Sequence, residues 1–154
     1  MKIGLSFGTT SGVVTTLGLM VGLNATTHSK LVVIGGILII AIADALSDAF
    51  GIHMSEESEN KHTSRQIWES SIFTFLAKFI VASTFIIPLL VCELHTAVLV
   101  SIAWGLVLLV ALNFFIARMQ KIGPFKIISM HLLIAVVVII ATHLIGSWIS
   151  KVFV

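Results

Sequence analysis

Residues 31–50 read LVVIGGILIIAIADALSDAF. The first part, LVVIGGILIIAIA, holds nothing but aliphatic residues and glycine. A strand of a membrane barrel would alternate in polarity over about 10 residues, so this continuous apolar run is helical. At 1.5 Å per residue, residues 31–50 together cross about 30 Å of hydrocarbon. Four more stretches share its character, at residues 3–23, 72–91, 97–117 and 127–149, the last containing LLIAVVVIIA. Five spans of about 20 residues take up about 100 positions, leaving short connections in a chain of 154. The composition agrees: 58% of residues are hydrophobic and 10% charged, with a mean hydropathy of +1.14. A soluble domain carries about a quarter charged residues, so a water-exposed globule is excluded. The fold class is an all-α membrane protein, one domain over residues 1–154 with five transmembrane helices, and its first partner is the lipid bilayer. The formal charge of +2 is too small and too scattered for nucleic acid. The single cysteine, Cys92, excludes an intrachain disulfide framework and a four-cysteine metal centre.

The first stretch has one leading Lys2, six Ser and Thr residues and four spans behind it. It therefore reads as a retained helix, not a cleaved leader. Lys2, Lys61, Arg65, Arg118, Lys121 and Lys126 fall on the side of the N-terminus, against Lys30 and Lys151 opposite. An excess of Lys and Arg marks the cytoplasmic face, which puts the N-terminus in the cytoplasm. The remaining cation, Lys78, lies inside the third span, where its stem either snorkels to the interface or pairs with an acidic residue of the second span. Trp68 and Trp148 sit at span ends as interfacial anchors, and Pro88 is placed to kink the third span.

The one strongly polar segment is residues 51–71, beginning GIHMSEESENKHTSRQIWES. It is expected as an acidic cytoplasmic loop and holds Glu56, Glu57, Glu59 and Glu69 with His53 and His62. Glu56, Glu59 and His53 are candidate ligands for a hard divalent ion, and the bland alternative is a solvated charged cap.

Asp44 and Asp48 carry the strongest chemical signal. Four residues apart on a helix they share one face, and an ionisable group within a span costs about 2.5 to 3.5 kcal/mol. Either they form a cation or proton site with Ser47 between them, or the span ends early and both reach the interface. In the first span Gly4, Gly8, Ser11, Thr15, Gly18 and Gly22 make a seam of small residues. Such seams let helices approach closely in lipid, so this one predicts tight packing against another helix, within the chain or in an oligomer. Thr9, Thr10 and Thr16 add hydroxyls beside the seam, for packing by hydrogen bonds or for lining an aqueous path. His131 and His143 lie on different faces of the last span and read as hydrogen-bonded core residues. Glu93 and His95 read as solvated, and the sequon Asn24-Ala25-Thr26 is too common to weigh. No GxSxG, HExxH, P-loop or GxGxxG motif occurs, so an enzyme is not expected.

SGVVTTLGLMVGL (residues 11–23) and IADALSDAFGIHMS (residues 42–55) resemble the first and second helices of the vacuolar iron transporter family. FTFLAKF with Pro88 and THLIG (residues 142–146) are similar to its later helices. The resemblance implies a five-helix protomer with a cytoplasmic N-terminus, forming a homodimer through helices 1 and 2 with the ion path at their interface. It further implies export of Mn or Fe from the cytoplasm in exchange for protons, with the divalent cation as cargo and no permanently bound cofactor. Asp44, Asp48, Ser47, Ser11 and Thr15 would line the path. The family's cytoplasmic metal-binding domain is cut here to the residue 51–71 segment. Ser11 stands where the family has an Asp, and Asp48 where it has a Met after the Ser. A carboxylate has thus moved from the first helix to the second, and oxygen-only ligands favour Mn²⁺ or another hard ion. Two rivals remain: a non-transporting scaffold or metal-responsive partner of the same fold, and a proton-coupled exporter of small organic cations. Short loops favour a prokaryotic plasma membrane over a vacuolar one.

Overall fold

The computed structural model describes residues 2–121 and 123–153, with only the backbone for Lys2, Ile3 and Gln120. Its elements are α1 (Lys2–Thr27), α2 (Lys30–Ser58), α3 (Ser64–Thr84), α4 (Ile86–Val91), α5 (Leu94–Gln120) and α6 (Pro124–Phe153). Helix α4 continues α3, so the described residues form five helices long and apolar enough to cross a membrane. The protein is an integral, multi-pass membrane protein. Each break has a local cause. Pro88 lacks an N–H, and its ring would strike the carbonyl of Thr84 four residues back. The helix accordingly ends at Thr84 and restarts at Ile86. Lys121 closes α5 in the left-handed region at φ 55°, and Gly123 leads into Pro124 at the first position of α6, where its missing N–H costs nothing.

The segment expected as a loop over 51–71 is mostly helix. Helix α2 runs on to Ser58, Asn60 turns the chain at φ 52°, and α3 starts at Ser64. Thr63 and Gln66 form a reciprocal capping box at that start, satisfying two otherwise orphaned N–H groups. The extension holds because α2 keeps one face against its neighbours: Val33, Ile37, Ala41, Ala45 and Ala49 are buried, and Glu56 continues the row.

Helix α1 is the most buried span and α6 the least. Val13, Leu17 and Met20 of α1 meet Ile37, Phe85, Leu89 and Leu109 in the main apolar cluster. The small-residue seam is consumed inside this bundle. A Cβ at Gly8 would lie 2.5 Å from the Thr74 carbonyl oxygen of α3, and one at Gly4 would fall on that of Ser70. Further along, Gly18 faces Val138 and Gly22 faces Thr142, both on α6. In turn a Cβ at Gly146 of α6 would be 2.5 Å from the Gly22 carbonyl oxygen. The seam therefore binds α1 to α3 at one end and to α6 at the other. The outward face of α2, with Leu38, Ile39, Ile42, Leu46 and Phe50, stays exposed.

Candidate cation site

The antiparallel run of α2 beside α1 and α3 brings residues 11, 44, 48 and 78 together. Lys78 does not snorkel. Its Cα and Cγ lie 3.3 Å from where a Cβ on Gly12 would be, so its stem packs on α1 and its ammonium points at α2. The side chain is 2% exposed. Its Nζ is 2.6 Å from Asp44 Oδ2, also pairs with Asp48 Oδ2, and donates to Ser11 Oγ at 3.0 Å. Ser11 Oγ donates onward to Asp48 Oδ2 at 2.8 Å. An ammonium has three N–H donors and no acceptor, and these three partners match them. Thr15 donates back to the Ser11 carbonyl oxygen at 2.9 Å, a bond within α1.

The site is not sealed. Asp44 lines a groove of about 490 Å³ between α1, α2 and α6, with Thr15, Thr26 and Thr142 among its polar members. The side chain of Asp44 is 33% exposed and that of Asp48 20%. Ser47 is not part of this arrangement: it lies on the exposed side of α2, because adjacent helical residues point about 100° apart and only positions three or four apart share a face.

The second candidate set does not assemble. Glu56 is buried and accepts a hydrogen bond from Ser70 Oγ at 2.7 Å. Nδ1 of His53 lies 3.3 Å from Ser71 Oγ, and its ring meets Trp68 edge-on at 4.6 Å. Glu59 is half-exposed and 3.7 Å from Lys61. Among the described residues no three His, Cys, Asp or Glu side chains come together in a way that could hold a metal ion. The five candidate metal ligands thus divide into Asp44 and Asp48, which share Lys78, and His53, Glu56 and Glu59, which each face different partners. His131 Nδ1 is 2.9 Å from the Ile127 carbonyl oxygen, while His143 lines an outer groove.

Residues 5–67 match the model of the VIT family. Over that stretch, less than half of its length, the chain is similar to the vacuolar iron transporter family. No curated protein and no solved structure matches the chain. The VIT match spans α1, α2 and the first turn of α3, so it takes in Ser11, Asp44 and Asp48 and ends before Lys78. VIT proteins are membrane metal transporters, not enzymes. Lys78 is the member of the site that the sequence left open between two readings. Its signal was a lone cation deep in an apolar span, and what chose between the readings is the register of α3 against α2.

Proposed function

We propose that this protein exports divalent metal cations, Mn²⁺ or Fe²⁺, from the cytoplasm in exchange for protons. The observation that carries the reading is the Asp44–Asp48 pair, one helical turn apart on a membrane-spanning helix and turned into a polar gap beside Ser11. Carboxylate and hydroxyl oxygens suit hard divalent ions. The same carboxylates bind either a metal or a proton, so the two compete for one site and can be exchanged. The facing of positions 11 and 48 also supports the idea that a carboxylate has moved across the α1–α2 contact, since either position would put its charge in the same gap.

Orientation follows from charge. The end of the bundle carrying Lys61, Arg65, Arg118, Lys121 and Lys126 is the cytoplasmic one; Lys2 adds to that count, although its side chain lies outside the described residues. Entry is from that end. The working unit is a homodimer in which the exposed apolar face of α2 and the groove beside α1 meet a second copy, because the small-residue seam of α1 is already occupied by α3 and α6. We place the dimer in a prokaryotic plasma membrane, on the strength of its short connections.

A second reading is favoured by the Lys78 ion pairs: a non-transporting membrane scaffold in which the ammonium permanently neutralises the carboxylates. Uptake of Mn²⁺ and Fe²⁺ into proteoliposomes, with and without a pH gradient, separates the two. The transporter reading expects gradient-driven uptake that is lost in both Asp44→Asn and Asp48→Asn. The absence of uptake by a folded wild-type protein would overturn it, and inhibition of that uptake by a lipophilic cation would point to organic cargo.

A further inference from the structure

The geometry points to Lys78 as a tethered competitor for the transported cation: its ammonium occupies the Asp44–Asp48 site when no metal is bound, and a divalent ion binds only by expelling it. This inference rests on the transporter reading above and deepens it.

Three observations carry it. The ammonium sits where a bound cation would sit, against an oxygen of Asp44, an oxygen of Asp48 and the hydroxyl of Ser11. It is almost wholly buried, while the Asp44 carboxylate it pairs with stays open to the groove from which another cation can reach it. And the inner stem packs on Gly12 by its Cα and Cγ, which directs the head to the gap without any need for a bound ion. A divalent ion and an ammonium on the same two carboxylates would lie within a few ångströms of each other and repel. They therefore exclude one another.

The charge count gives the exchange its sense. Two carboxylates and one ammonium leave the resting site with one net negative charge. With the ammonium expelled and a divalent ion in its place, the carboxylates are neutralised. A cation leaving the site does not strand two bare carboxylates inside the membrane, because Lys78 returns to them. Uncompensated buried charge is costly, so the lysine balances one carboxylate of the empty carrier, and the other is left to the exchanged proton. The penalty is affinity: binding to a site that is free for only a fraction of the time is weakened by that fraction.

The test is equilibrium dialysis of the purified full-length protein in detergent against Mn²⁺ and Fe²⁺, comparing wild type with Lys78→Met and Lys78→Gln. The glutamine keeps an N–H donor for Asp48 without the charge, and it carries the comparison if the methionine variant does not fold. The expected result is at least about tenfold tighter Mn²⁺ binding in the Lys78 variants, with the gain abolished by adding Asp48→Asn. Equal or weaker binding in both Lys78 variants would overturn the competitor role while leaving the transporter reading in place. Binding of neither ion to wild type or to either variant would overturn the transporter reading and the competitor role together.

Discussion

Helix α2 carries two sets of acidic residues less than three turns apart, and different forces hold them. Asp44 and Asp48 face a buried ammonium across the α2–α3 contact. Glu56 is more enclosed than either aspartate, and among the described residues it is held by the Ser70 hydroxyl, while Glu57 and Glu59 are exposed beyond it. A paired charge inside a membrane is poised, because either partner can be replaced by another ion of the same sign. A carboxylate held by a neutral hydroxyl offers no such exchange, and it fastens the end of α2 to α3. The difference separates a candidate site from a structural tie on the same helix, where composition alone would favour the glutamate-rich end.

The comparison can be broken most forcefully by removing both aspartates. Asp44→Ala with Asp48→Ala leaves the Lys78 ammonium buried without a counter-charge, a loss on the order of 3 to 5 kcal/mol. A large fall in the thermal midpoint in detergent is expected, and adding Lys78→Met should restore most of it. Second in size is Glu56→Ala, which strands the Ser70 hydroxyl at a cost of about 1 to 3 kcal/mol. Thermal unfolding should show that loss, while Mn²⁺ uptake per folded molecule stays at the wild-type level. The smallest effect belongs to Glu59→Ala. Its contact with Lys61 is an exposed ion pair and such pairs contribute about 0 to 1 kcal/mol, so both stability and uptake should be unchanged. A marked loss of uptake in Glu59→Ala would move metal capture to the α2–α3 turn.

Much of this was legible in the sequence because lipid imposes strong rules. Uninterrupted apolar length marks a span, and a charged residue inside one stands out against it, which is why Asp44, Asp48 and Lys78 could all be singled out. What could not be read was register. Whether Lys78 turns to the interface or to α2 depends on how α3 slides along its neighbours, and that is set by the close approach of α3 to Gly4, Gly8 and Gly12. The seam announced close packing but not its partners, since α3 and α6 both approach α1 over small residues. The charged stretch 51–71 hid two further turns of helix because its polar residues masked one continuing buried row, ending at Glu56. Ser47 was drawn in by its place between two aspartates, although adjacent positions on a helix do not face the same way.

Under the proposed function, positions 11, 44 and 48 make one cation site. That assignment is tested most directly by Mn²⁺ uptake into proteoliposomes bearing Asp48→Met alone or together with Ser11→Asp. Because Ser11 Oγ and Asp48 Oδ2 are 2.8 Å apart, the double variant returns the lost carboxylate to the same gap from the opposite helix. Asp48→Met should abolish uptake and the double variant should regain it; a folded double variant as inactive as the single one would show that positions 11 and 48 do not share a site.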